Sequence, residues 1–243
     1  MKIQSGTMTT DHTANSLTLQ GFTPPLKLAD FKLIAFDMDS TLINIECIDE
    51  IADTVGLKAE VAAITEATMR GEITNFKTSL RRRVALLKGV SLQDMERVYT
   101  ERLQLNPGAI ELVAACKEAG LKTLLVSGGF TFFADRVAER LGIDYAKSNE
   151  LEVVNQRLTG GLVNQSWGDI CDGEEKRKTL LETCKVLGIK PSQSIAVGDG
   201  ANDLPMMGAA GLSVAYHAKP KVREQAMVAI NEGGLDRLLE VLI

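Results

Sequence analysis

Four short apolar runs punctuate the chain, Leu33-Ile34-Ala35-Phe36, Thr123-Leu124-Leu125-Val126, Ile195-Ala196-Val197 and Leu212-Ser213-Val214-Ala215, and each gives way to turn-forming or polar residues. Hydrophobicity that is continuous rather than alternating marks strands covered on both faces. Helical periodicity fills the intervals, so the pattern predicts an α/β fold with a largely parallel sheet and helices on both sides. The interval between the first two strands is unusually long. About residues 45–105 hold no convincing strand, and Ile48, Ile51 and Val55, then Val61 and Ile64, then Leu80, Val84 and Leu87 recur at spacings of three or four. Such spacing lines one face of each helix and predicts a small helical bundle set over the sheet as a cap. Leu151-Glu152-Val153-Val154 and Leu158-Thr159-Gly160-Gly161-Leu162-Val163, separated by the turn-like Asn155-Gln156-Arg157, predict a small β-hairpin.

Residues 1–30, rich in Thr, Ser and Asn and carrying Pro24-Pro25, read as a partly disordered leader whose last part packs on the body. The expected division is therefore a leader over 1–30, a core built from 31–44 and 106–243, and a helical cap inserted over 45–105. The chain shows no repeat and no low-complexity segment.

Composition narrows the classes. With 243 residues, 45% hydrophobic and 24% charged, the chain has the make-up of a globular protein with a sizeable core. A formal net charge of −5, with basic residues scattered apart from Arg81-Arg82-Arg83, argues against nucleic acid or an anionic membrane as partner. An anionic substrate then needs a local positive site. Cys47, Cys116, Cys171 and Cys184 lie far apart with no CxxC pair, the pattern of idle thiols in a reducing compartment. The chain lacks a secretory signal and any apolar run near the ~20 residues that span a bilayer, so a cytoplasmic location is expected.

Three of the four strands end in polar clusters: Asp37 and Asp39 after the first, Ser127-Gly128-Gly129 after the second, Gly198-Asp199-Gly200-Ala201-Asn202-Asp203 after the third. In an open parallel sheet the carboxyl ends of the strands share one crevice, so these distant segments can form one site. The chain has two histidines, His12 and His217, and no GxSxG elbow. A Ser-His or Cys-His nucleophile would rest on His217 alone, which leaves a carboxylate as the economical nucleophile for a phosphoryl group. Several aspartates beside a phosphate dianion need compensating charge, and Mg2+, which takes carboxylates together with substrate phosphate, supplies it.

Each element of this pattern has a plainer reading. Two acids after a strand are usually turn formers; Ser127-Gly128-Gly129 is also a tight turn, and Glu46 a helix-start acid. Successive helical residues point about 100° apart, so Arg81, Arg82 and Arg83 cannot all face one pocket. Lys176 and Lys178 open an amphipathic helix, ordinarily a solvated position. His217, Cys47 and Trp167 read as structural. The three strand ends together outweigh these readings.

The stretches Phe36-Asp37-Met38-Asp39-Ser40-Thr41-Leu42-Ile43-Asn44-Ile45-Glu46, Ser79-Leu80-Arg81-Arg82-Arg83-Val84, Val126-Ser127-Gly128-Gly129-Phe130 and Val197-Gly198-Asp199-Gly200-Ala201-Asn202-Asp203 resemble the haloacid dehalogenase (HAD) superfamily over about residues 31–243. Glu46 and the arginine stretch narrow the resemblance to its phosphoserine phosphatases. The resemblance implies a HAD-like Rossmannoid core with an inserted helical cap, and Mg2+-dependent hydrolysis of phosphoserine through an aspartyl-phosphate, the last step of serine biosynthesis. It makes Asp37 the nucleophile and Asp39 the acid and base. It assigns the metal to Asp37, the backbone carbonyl of Asp39, and Asp199, and the phosphoryl oxygens to Ser127, the Gly128 amide and Lys176. Asn202 then faces substrate or nucleophile, Asp203 orients the lysine or metal waters, Glu46 meets the substrate ammonium, Arg83 its carboxylate, and Met69 and Phe76 close the apolar side. Another small phosphomonoester, transfer to an alcohol, or a non-catalytic binding role are the alternatives. Oligomeric state is not legible.

Overall fold

The computed structural model describes residues 16–69 and 72–243, with the Met69 side chain outside the described set. In chain order the strands and helices are β1 (Leu17–Leu19), β2 (Leu33–Phe36), α1 (Cys47–Asp53), α2 (Lys58–Met69), α3 (Phe76–Leu86), α4 (Leu92–Arg97), α5 (Ala109–Glu118), β3 (Lys122–Phe130), α6 (Thr131–Leu141), β4 (Tyr145–Asn149), β5 (Leu151–Val154), β6 (Arg157–Leu162), α7 (Gly173–Leu187), β7 (Ser194–Gly198), α8 (Leu204–Ala209), β8 (Leu212–Tyr216), α9 (Pro220–Arg223) and β9 (Val228–Ile230). Seven strands form one sheet in the order β1-β9-β8-β7-β2-β3-β4, parallel throughout except for the edge pair β1·β9.

Two-sided burial explains the continuous apolar runs. On β2, Ile34 and Phe36 join a large apolar cluster with Leu112 and Val113 of α5 and Phe133 and Val137 of α6. The alternate residues Leu33 and Ala35 join a smaller cluster on the other face with Leu180 of α7 and Met206 of α8. β7 repeats the split, with Ile195 and Val197 on the larger side and Ala196 on the smaller. On the second face the alanines Ala35 and Ala196 leave room for α7 and α8 to approach. Helix ends follow local rules: the Asp172 carboxylate accepts from the Glu175 amide at 3.0 Å to start α7, and Gly188 at φ 67 ends it.

The register sets the site. Phe36 sits level with Leu125 of β3 and Val197 of β7, so Asp37, Ser127 and Asp199 leave neighbouring strands at nearly the same height. The chain moves from β2 to β3 on one side and returns to β7 on the other, which opens the crevice at that point.

Several features differ from the sequence expectation. β3 does not stop at Val126: the backbone stays extended through Ser127-Gly128-Gly129 to Phe130, with a slip in its register against β4 between Val126 and Phe130. Part of the 1–30 leader is an edge strand, since Leu17–Leu19 pairs with β9 and satisfies its otherwise free edge; residues 1–15 lie outside the described residues. β1 and β4 are short or mixed in polarity and leave no apolar run, whereas β9 lies in the apolar stretch 226–230, which the sequence reading did not single out. The hairpin β5–β6 turns on Asn155 and Gln156, both at positive φ, as a two-residue primed turn requires. It also bonds to the helical insert: Gly89 N donates to Leu158 O and Leu158 N to Val90 O, both at 2.8 Å. The hairpin and the insert therefore form one surface. Among the described residues no helix is long and apolar enough to cross a membrane.

Candidate active site

The turn that leaves β2 is irregular for a reason visible in its sequence. Asp39 stays extended, and Ser40 adopts φ 55, a left-handed conformation uncommon outside glycine and enriched at functional turns. The reversal brings Ser40 Oγ to Glu46, to which it donates at 2.7 Å, so the acid that precedes α1 is tethered to the strand end. Met38 N donates to Asp37 Oδ1 at 2.7 Å and fixes the carboxylate above the sheet.

Lys176 lies one turn into α7 and is fully buried. Its ammonium stands 2.7 Å from Asp37 Oδ1 and 2.7 Å from Asp203 Oδ1. The second oxygen of Asp203 accepts from the amides of Asp199 and Gly200 at 3.2 and 3.0 Å, so one buried residue fixes both the lysine and the loop after β7. Gly198 makes this possible: a β-carbon there would stand 2.5 Å from Asp203. Lys178, by contrast, is exposed on α7.

Ser127 is buried, its hydroxyl accepting from Gly129 N at 2.9 Å. A β-carbon on Gly129 would meet Asp39 Oδ2 at 3.0 Å and Ser127 Oγ at 3.1 Å, so these two groups face the same narrow space. From the insert, Phe76 brings its Cζ to 3.1 Å from the position of a Gly128 β-carbon. Arg81 with Asp169 at 2.5 Å and Lys77 with Asp172 at 3.6 Å bridge α3 to the segment before α7. Asn202 lies over Gly200. Of the three arginines, Arg81 and Arg82 are exposed and Arg83 turns inward, where Asp49, Glu46 and Asp39 are the carboxylates acting on it. Met69 ends α2, and its side chain lies outside the described residues.

Asn149 was not singled out by the sequence. It is buried at the end of β4, donates to Gly128 O at 2.8 Å and accepts from Cys171 N at 2.8 Å, tying the Ser-Gly-Gly segment to the approach of α7. A lone asparagine in a mixed-polarity stretch carries no signal of this. Asp172 was legible in principle, as an Asp followed three residues later by Glu at a helix start. The four thiols are buried, and burial pushes Cys116 and Cys171 up to about 12, so they remain protonated. His217 Nε2 meets Gly233 O at 2.9 Å, a loop contact.

The electrostatics leave a surplus of negative charge. Burial first, then Asp203, push Asp37 up to about 7 despite Lys176; burial, then Asp37 and Asp203, push Asp199 up to about 8. Asp39 rises well above the usual carboxylate range, by burial and then by Glu46. Burial would lower Lys176, but Asp203 and Asp37 outweigh it and hold the ammonium above its ordinary value. Carboxylate oxygens of Asp37, Asp199 and Asp203 lie within 4.8 Å of one another. Both Asp203 oxygens are already engaged, which leaves Asp37 and Asp199 with free acceptors. Hard oxygen donors carrying uncompensated charge fit a divalent cation.

A family model for haloacid dehalogenase-like hydrolases matches residues 34–208. A phosphoserine phosphatase of Polaromonas sp. is 76% identical over 90% of this chain and 93% of its own length. The chain belongs to the phosphoserine phosphatases of the haloacid dehalogenase-like hydrolase family. Two solved members of that family, one a substrate-bound phosphoserine phosphatase complex and one a phospho-aspartyl intermediate analogue, each superpose with a TM-score of 0.80 at 39% identity, over 88% of this chain and 99% of theirs.

Two outcomes follow from the charges. Lys176→Met strips the cation from two buried carboxylates and should cost about 3–5 kcal/mol near pH 8. The deficit should shrink near pH 5.5, where Asp37, pushed up to about 7, takes up a proton; urea unfolding in chelator checks this, and a deficit independent of pH would refute it. In the metal-free chain, the raised Asp37 and Asp199 favour the folded state most below about pH 4, and that contribution is lost as pH rises through about 7 and about 8. A divalent cation needs both deprotonated, so adding one should raise Tm more near pH 8 than near pH 6 and release protons in calorimetry with buffers of different ionisation heat.

Proposed function

We propose that the chain hydrolyses O-phospho-L-serine to L-serine and phosphate through an aspartyl-phosphate on Asp37. The observation that carries the reading is the meeting of Asp37, Asp39, Ser127, Lys176 and Asp199 at the ends of adjacent strands, in a chain 76% identical to a phosphoserine phosphatase. Asp37 Oδ1 is held by the Met38 amide and Lys176, so the other oxygen attacks phosphorus in line. The P–O bond to serine breaks as the bond from Asp37 to phosphorus forms, giving an acyl phosphate. Asp39, kept protonated by its burial and by Glu46, gives its proton to the leaving serine oxygen and then takes one from the water that cleaves the acyl phosphate. Ser127, the Gly128 amide and Lys176 receive the phosphoryl oxygens, which gain charge during transfer.

Mg2+ bound to Asp37, the Asp39 carbonyl and Asp199 would offset the acidic surplus and the charge of the phosphoryl group. Asp203 holds Lys176 in place, and Asn202 reaches toward the transferred group. Glu46 takes the substrate ammonium, and Arg83 the carboxylate by its two-pronged guanidinium. Phe76 covers the apolar side and, with the insert closed, keeps bulk water out until the acyl phosphate forms. The substrate is a small molecule and the setting cytoplasmic.

Asp37→Asn should abolish the acid-stable phosphoenzyme, whereas Asp39→Asn should retain the nucleophile and slow turnover by roughly 10² to 10⁴. Rapid-quench labelling with phosphoserine separates the two; equal activity of both variants refutes the roles. On a panel of phosphoserine, phosphothreonine, phosphoethanolamine and sugar phosphates, phosphoserine should have the highest kcat/KM. Arg83→Ala should raise KM for phosphoserine and leave an aryl phosphate nearly unchanged. A preference for sugar phosphates would sink the substrate assignment.

A further inference from the structure

Among the described residues, four buried side-chain atoms have no hydrogen-bond partner: Thr41 Oγ1, Asp49 Oδ1, Arg83 Nε and Ser148 Oγ. Two of these belong to opposite charges on α1 and α3, helices in contact with each other. A buried charged group left without its hydrogen bond is costly, so a native chain retains one where a ligand or a closing movement completes it. Asp49 sits in the first turn of α1, three residues after Glu46, which puts both acids on one face of the helix. An acid there could simply complement the helix dipole, but that role would leave its carboxylate in water. The neighbouring Glu50 serves as a surface partner, paired with Lys58 and Arg102. Asp49 turns its oxygen inward instead.

Arg83 completes the picture. Burial lowers its pKa, and Asp49 is the first of the carboxylates that oppose this, ahead of Glu46 and Asp39. On Asp49 the order is reciprocal: burial raises it and Arg83 is the first group to lower it. The two charges attract, yet Nε and Oδ1 each lack a hydrogen bond. A guanidinium that grips a carboxylate with its two terminal nitrogens still has Nε to place, and a planar fork recognises its partner only when the plane is fixed.

We propose that Asp49 is a positioning residue for substrate selection, accepting a hydrogen bond from Arg83 Nε so that the two terminal nitrogens face the substrate carboxylate. This rests on the reading of Arg83 as the carboxylate receptor. Asp49 touches neither phosphorus nor the leaving oxygen, so it acts on binding and not on transfer. Its charge also compensates Arg83 before substrate arrives.

The test compares phosphoserine with phosphoethanolamine, which has the phosphate and ammonium but no carboxylate. Asp49→Ala should raise KM for phosphoserine roughly ten- to a hundredfold, the range of a hydrogen bond to a charged group, with kcat within about threefold. KM for phosphoethanolamine should stay within about twofold, and Asp49→Asn, which keeps an acceptor oxygen, should recover part of the loss. In an Arg83→Ala background, Asp49→Ala should add nothing. Circular dichroism melts establish that the variants are folded, and Asp49→Asn carries the test where Asp49→Ala does not fold. Equal losses on both substrates, or full additivity with Arg83→Ala, overturn the role of Asp49. Wild type with no preference for phosphoserine over phosphoethanolamine overturns the substrate reading and the Asp49 role with it, an outcome distinct from the first.

Discussion

Lys176 is buried without any exposed surface, 2.7 Å from each of two carboxylates, and those carboxylates come from different parts of the chain. Asp37 follows β2, Asp203 closes the loop after β7, and the lysine itself belongs to α7, so one ammonium fastens three segments that meet nowhere else in sequence. Burying a lone ammonium would cost several kcal/mol; two partners at hydrogen-bond distance offset that cost, and amides of Asp199 and Gly200 satisfy the remaining oxygen. The small side chains on that face of the sheet serve the same end. Ala35 and Ala196 admit α7 closely enough for a lysine to reach across. On the proposed mechanism the site depends on this arrangement, because Asp37 attacks in one direction only while one of its oxygens is held.

The helical insert solves a different problem. On the proposed mechanism, catalysis through an aspartyl-phosphate requires that water be kept away during the first step and admitted in the second. A lid answers this if it reaches the strand ends but is weakly tied to them. Phe76 packs against Gly128, while the bridging pairs Arg81–Asp169 and Lys77–Asp172 are partly solvated and therefore weak. The hairpin β5–β6 bonds to the insert at Gly89 and Val90, which gives the lid a second point of attachment in the later half of the chain.

The sequence made legible what depends on a repeating pattern. Leu33–Phe36 is apolar because both its faces are covered, and the spacing of Leu80, Val84 and Leu87 reflects one buried helix face, so both could be read without coordinates. What depends on phase or on a single contact could not be read so. Periodicity could not say which of Arg81, Arg82 and Arg83 turns inward; packing against α1 decides that. The Ser-Gly-Gly segment looks like a turn because glycines usually mark one, whereas here they let an extended strand pass beneath Asp39 and Phe76. The edge strand at Leu17–Leu19 gains its stability from the free edge of β9, a partner more than two hundred residues away. Asn149 matters through two hydrogen bonds, and no local pattern announces them.

Lys176 and Arg83, two cations that face the strand ends, illustrate how burial separates architecture from recognition. Lys176 is saturated: its partners are fixed, its charge is cancelled, and moving it would deprive Asp37 and Asp203 of their cation. Arg83 faces acids without hydrogen-bonding through Nε. A saturated buried charge resists displacement and so defines geometry, while an unsaturated one gains when an anion of the right shape arrives and so defines selectivity. The chain carries a net charge of −5, so a substrate anion gains nothing from the molecule as a whole. On the proposed reading it is drawn instead by Arg83, whose Nε the fold leaves without a hydrogen bond.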